Sequence, residues 1–259
     1  MMREEGTPIA SQRNEEAPVV MSLSEFFLAL VPSLVWLCVA MTLAIRAGGV
    51  RTLVIAILAG LLIAAPIGVT ETWVVSVLHP DGRFATDFVQ QVLAAAVCEE
   101  SFKFLAIVLV FRSFSRDRST LTDLIFTVAL GVAVGCMTVE NVAAVAHAES
   151  SQKMATDRLL TMIAGHPSFQ LVMAWLLTAS FDRRLRVGWL VAAWAFPVAL
   201  HAWYDLSESL FQDEPHPGSS EDTMLYALWI TSVFTIAVLA VWLTIQVVIR
   251  RKNFIQGTE

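Results

Sequence analysis

FVQQVLAAAVCEESFKFLAIVLVF, residues Phe88 to Phe111, is the stretch that decides the fold. As a helix it is long enough to cross a hydrocarbon core of about 30 Å, which takes about 20 residues. Yet Glu99, Glu100 and Lys103 stand near its centre. Each charge costs about 2.5–3.5 kcal/mol on insertion scales where it faces lipid. Charges at that depth are expected to face a wet or protein-lined space. The pentad Glu99-Glu100-Ser101-Phe102-Lys103 is therefore the first candidate for chemistry.

The rest of the chain keeps its charges out of such segments. Of 259 residues 56% are hydrophobic and only 15% charged, against about 25% charged in ordinary globular chains, which argues for a membrane solvent. No Lys/Arg cluster could track phosphates, so nucleic acid is not an expected partner. Cys38, Cys98 and Cys136 lie in apolar segments without CxxC spacing and read as small buried residues rather than a disulfide or zinc framework. The polar first 24 residues precede an apolar run too long for the hydrophobic part of a cleavable signal, and no such signal is expected.

Seven segments are long enough to span a bilayer: Phe26–Ile45, Thr52–Val69, Phe88–Phe111, Leu121–Ala146, Leu159–Phe181, Val187–Phe211 and Met224–Ile249. They are continuous apolar runs without a period of two, which excludes a β-barrel. The expected fold is an all-α polytopic membrane bundle. Residues 26–249 form one transmembrane domain, with a disordered extracytoplasmic tail over 1–25 and a short cytoplasmic tail over 250–259. Eleven basic residues flank one set of span ends and five the other. That bias places the C-terminus in the cytoplasm and the N-terminus outside a cell membrane. Gly131-x-x-x-Gly135 in the fourth span clears a stripe against which a neighbouring helix can pack.

The other deep polar residues are Glu140 with Asn141, His166 with Gln170, and His201 with Asp205. Glu99 and Lys103 are four apart with the acid first, the favourable order for an ion pair on a helix. Glu100 is three before Lys103 and could share it. His201 and Asp205 are also four apart, so the carboxylate can orient the imidazole. At ~1.5 Å per residue, Glu99 lies ~18 Å from the Asp87 end of its span, His166 ~12 Å from Arg158, and His201 ~21 Å from Val187. Those depths put ionisable groups of four helices in the middle or outer part of the membrane. Each has a plainer reading: a packing histidine, a structural acid at the headgroups, or a neutralised pair that fixes register. Glu71 and Asp123, near span ends, read as solvated.

The ordered set resembles the PrsW-type intramembrane proteases, relatives of the type II CAAX prenyl endopeptidases. The matching features are Glu-Glu-x-x-Lys at Glu99 to Lys103, then Asp123 opening a glycine-bearing helix that ends in Glu140-Asn141. His166 and the His-x-x-x-Asp of His201 and Asp205 complete it, so the core of the resemblance is residues 88–210. It implies peptide-bond hydrolysis inside the membrane and a single-pass membrane protein as substrate, anti-sigma factors being typical of the family.

The expected chemistry is a water activated by Glu99 or Glu100 with His166. His201, oriented by Asp205, donates to the developing oxyanion, while Lys103, Glu140 and Asn141 support the site. No cofactor is favoured. Two other readings use the same residues: a zinc site on His166, His201 and Glu100 with one position open for water, and a proton-coupled transporter built on buried acids and histidines.

Overall fold

The computed structural model describes residues 21–47, 49–114, 121–148, 150–160, 165–181, 186–212, 224, 227–239, 241–243 and 245. Those residues form helices and no strands: α1 (Leu23–Arg46), α2 (Val50–Leu78), α3 (Arg83–Asp87), a π-helical segment (Phe88–Cys98) running into α4 (Glu99–Phe114), α5 (Leu121–His147), α6 (Ser151–Leu160), α7 (His166–Phe181) and α8 (Arg186–Gln212). A further apolar helix lies between Ala227 and Leu243. The expected terminal tails fall almost wholly outside the described residues.

Among the described residues four helices are long and apolar enough to cross a membrane: Leu23–Arg46, Val50–Leu78, Leu121–His147 and Val187–Ser209. Large apolar side chains such as Leu62, Val69, Val187 and Phe234 stand exposed on the outside of the bundle. Apolar surface on that scale is stable only against lipid. The chain is thus a helical membrane protein.

The remaining expected spans take other forms. The third is continuous but changes its hydrogen bonding at Cys98, from i→i+5 bonds to the ordinary α-helical pattern. The fifth, expected to run unbroken over Leu159–Phe181, is divided. One described helix ends at Leu160, and the next opens only at His166 and has 16 residues. Pro167 sits in the first turn of that helix, where its missing N–H is one that needs no partner. The expected span Met224–Ile249 lies partly outside the described residues.

The second span is longer than expected, Val50–Leu78 rather than Thr52–Val69. Polar residues after Val69 do not end it, because their hydroxyls bond back into the helix: Thr70 Oγ1 donates to the Pro66 carbonyl at 2.7 Å and Thr72 Oγ1 to Gly68 at 2.8 Å. The helix stops at His79, in the left-handed conformation at φ 43°, just before Pro80. The extension carries Glu71 into the bundle. Cys38, read as buried, is exposed on α1.

α5 is the centre of the fold. Every residue from Leu124 to Met137 is buried, the pattern of a helix enclosed on all sides, and its neighbours include α1, α2, α4 and α7. Its contact with α2 is the closest. A Cβ on Gly60 would collide with the Val132 carbonyl oxygen, one on Gly135 with the Ile57 carbonyl oxygen, and one on Gly131 with Ala56 Cβ at 2.7 Å. Both helices run the same way here, since Leu53 meets Gly131 and Gly60 meets Gly135. Gly135→Val forces these backbones apart. The expected cost is at least the ~1–3 kcal/mol of core overpacking, read as a lower unfolding temperature in detergent beside an unchanged Gly68→Ala control. Gly68 has nothing within 4 Å of its would-be Cβ.

Candidate functional site

The start of α4 carries Glu99, Glu100 and, one turn on, Lys103, all buried. Lys103 Nζ donates to Glu99 Oε2 at 2.6 Å and Glu100 Oε1 at 3.2 Å within its own helix. It also reaches across to His166 Nδ1 at 2.8 Å. A lysine can only donate, so Nδ1 accepts and the hydrogen of a neutral His166 ring is on Nε2, which faces Glu140 Oε2 at 2.5 Å. The order Lys103–His166–Glu140 thus joins α4, α7 and α5.

Glu100 has no exposed surface and both of its oxygens are engaged. Oε1 meets Lys103 and His201 Nδ1, the latter at 3.1 Å, while Oε2 accepts from Gln170 Nε2 at 2.6 Å. The other His201 nitrogen, Nε2, lies 3.0 Å from Asp205 Oδ2. Both His201 nitrogens face carboxylate oxygens and each needs a hydrogen to bond them. Phe169 stacks on this ring at 4.8 Å between centroids, and the His166 ring stands edge-on to it at 5.2 Å. A bond from Trp194 Nε1 to Ser101 Oγ at 2.9 Å pins α8 to α4 and sets this register.

A cavity of about 560 Å³ opens beside the cluster, lined among others by Glu99, Glu140, Asn141, His166, His201 and Asp205. It has room for water and for several residues of unwound peptide. Glu99 reaches it, with His166 Nδ1 3.6 Å from Glu99 Oε2. Glu100 and Lys103 are absent from its wall. All eight residues expected at the site are at the cluster or on the cavity wall. Asp123, in the first turn of α5, is at neither.

Near the site, Glu71 departs from its sequence reading. Glu71 is not solvated: its Oε1 is buried without a hydrogen-bond partner, and its carboxyl lies within hydrogen-bonding reach of Glu99. Glu71 also lines a second, more open hollow of about 520 Å³ between α2 and the π-helical segment. Gln90 faces both spaces. An acid seven residues before the end of a helix is a visible signal only once the helix is known to continue past Val69. Cys136, buried as expected, donates its thiol to Glu140 Oε1 at 2.9 Å.

Glu99, Glu100, His166 and His201 each offer a ligand atom within 4.8 Å of the others, and two carboxylates with two imidazoles suit a divalent ion by type. As arranged, these donors already have protein partners. The Lys103 ammonium stands within 3.2 Å of three of the four residues, so positive charge already fills the space between the donors. Every nitrogen of both histidines also has a protein partner.

A family model described as PrsW family intramembrane metalloprotease matches residues 48–244. No curated protein and no solved structure matches the chain.

Lys103→Met removes the one ammonium bound to Glu99 and Glu100 and leaves buried carboxylates uncompensated, a change that costs about 3–5 kcal/mol in comparable buried pairs. The expected outcome is a large fall in unfolding temperature in detergent, partly recovered by adding Glu100→Gln in the same chain.

Proposed function

Since the chain belongs to the PrsW family of intramembrane proteases, we propose that it hydrolyses a peptide bond of a single-pass membrane protein, an anti-sigma-like substrate, through a water activated by Glu99. The carrying observation is the division of labour between adjacent acids. Glu99 faces the cavity, whereas Glu100 is sealed off with both oxygens bonded. Glu99 is then the base, and Glu100 positions Lys103 and His201.

In this reading a cavity water attacks the substrate carbonyl carbon and gives its proton to Glu99. The tetrahedral centre collapses, the C–N bond breaks, and Glu99 passes the proton to the departing amine. Lys103 and His166 hold Glu99 in place. His201 was expected to donate to the oxyanion, but its nitrogens are committed to Glu100 and Asp205. Asn141, buried and on the cavity wall next to Glu140, offers an amide N–H and takes that role instead. The substrate must unwind locally, because an intact helix hides its carbonyls in hydrogen bonds, and the cavity volume accommodates this. The bias of basic residues supports a cavity facing the extracytoplasmic leaflet with the C-terminus in the cytoplasm.

The family description favours a metalloprotease, so the two mechanisms need a direct comparison. The Lys103 ammonium among the donors supports the glutamic type. Dialysis of purified protein against a chelator is expected to leave turnover unchanged. Loss of activity restored by one equivalent of Zn²⁺ establishes the metallo alternative.

Variants test the roles with a tagged single-span substrate in liposomes. Glu99→Gln is expected to lower kcat by about 10²–10⁴, the contribution of a positioned general base. Asn141→Ala is expected to lower it by about 10²–10³, the contribution of one oxyanion donor. Full activity in Glu99→Gln refutes the assignment. Proton-driven uptake with no peptide cut points instead to the transporter.

A further inference from the structure

The cavity does not end at the Glu99 cluster. Toward the other end its wall carries Asp87, where α3 meets the π-helical segment, Asp157 and Arg158 on α6, and Asp205, Glu208 and Ser209 on α8. Of these four carboxylates Asp205 is bonded to His201 and Asp87 is approached by Arg83, while Arg158 is the guanidinium on the wall itself. Glu208 neighbours Asp205, Asp157 and Arg158, so the arginine answers part of that charge and an excess of negative charge remains.

Asp87 is the informative residue. It is only 7% exposed. Its Oδ1 accepts from Ser209 Oγ at 3.3 Å, but its Oδ2 is buried with no hydrogen-bond partner. Arg83 Nε approaches Oδ2 only to 4.0 Å, beyond hydrogen-bonding distance, from a side chain that is half exposed. A buried carboxylate oxygen without a donor is costly, and here it lies on the wall of a large cavity. That oxygen can accept a hydrogen bond from a group that enters the cavity.

The surroundings of that oxygen favour a definite chemistry in such a group. Among the described residues, the acids and histidines close enough to hold a metal ion are Glu99, Glu100, His166 and His201, so the carboxylates at this end do not converge as an ion would require. They are spread along a channel whose wall also carries Met154, Phe169 and Tyr204. Spaced acids over an apolar floor suit a long side chain with an aliphatic stem and a cationic head. We infer that this end of the cavity is a specificity subsite that takes a lysine or arginine side chain of the substrate, with Asp87 Oδ2 as its principal acceptor. The inference rests on the protease reading of the same cavity.

Spacing follows from the helices. Glu208 is seven residues along α8 from His201, ~10 Å, and Asp87 is twelve residues from Glu99, at most ~18 Å because the π-helical segment between them rises less per residue than an α-helix. An extended peptide covers ~3.3–3.6 Å per residue. The basic residue therefore belongs about three to five residues from the scissile bond, on the side that leads toward Asp87.

The test uses the full chain in liposomes and two single-span substrates that differ at one position in that window, Lys in one and Gln in the other. The native protein is expected to cleave the Lys substrate at least about 10-fold better in kcat/KM. In Asp87→Asn the ratio of the two rates is expected to fall toward one. Because both rates come from the same preparation, the ratio is insensitive to the fraction of folded enzyme. If Asp87→Asn shows no activity at all, the ratio in Glu208→Gln decides, with the same fall expected. Equal cleavage by the native protein at every position in the window, or a ratio that neither variant changes, overturns the subsite and leaves the protease reading intact. No cleavage of either substrate by the native protein overturns both.

Discussion

A single ammonium group, Lys103 Nζ, is held by two carboxylates of its own helix and an imidazole of another. Removing an ion from water costs several kcal/mol even after relaxation, and its partners repay that cost only with good geometry and further hydrogen bonds. The further bonds are supplied in layers. Gln170 and His201 satisfy Glu100, Glu140 takes the far side of His166, and Asp205 takes the far side of His201. Four helices are tied to one charge, and each tie orients a side chain at the cavity. Stability and chemistry therefore draw on the same atoms.

The apolar part of the fold holds these polar groups at a common level. α5 is sheathed by other helices, and its glycines let α2 lie against it backbone to backbone. That contact has no side chains to absorb error, so the relative height of the two helices is fixed within narrow limits. Further along, α5 presents Glu140 and Asn141, and α2 presents Glu71 beside Glu99. Small residues at the crossing thus do for position what ion pairs do for charge.

Much of this was legible in the sequence, because buried charge in an apolar run is conspicuous and helical spacing pairs its members. Glu99 with Lys103 and His201 with Asp205 could be paired by counting. Membership of Glu140 and His166 followed only from the family resemblance and from depth, and the depth of His166 was counted along a helix that in fact divides before it. Glu71 escaped because hydropathy falls after Val69, while the backbone continues on hydroxyl groups that bond internally. The π-helical turns of Phe88–Cys98 left no mark, since a shift in hydrogen-bond partner by one residue changes neither composition nor apolar pattern. Which of two adjacent acids meets the cavity was equally hidden. Neighbours on a helix point about 100° apart, and only the surrounding helices decide which one is covered.

The Lys103 bonds to Glu99 and Glu100 close within one helix, whereas those to His166 and from His201 to Glu100 bridge 63 and 101 residues. At about 5–20 residues per second of synthesis, the ribosome needs roughly 3–13 s after making Lys103 before His166 exists. Through that interval the nascent span has to enter the bilayer carrying three charges and no tertiary partner. A counter-ion three and four positions from its acids halves the net charge with which the segment arrives. The order of residues in the pentad thus serves biogenesis before it serves any reaction.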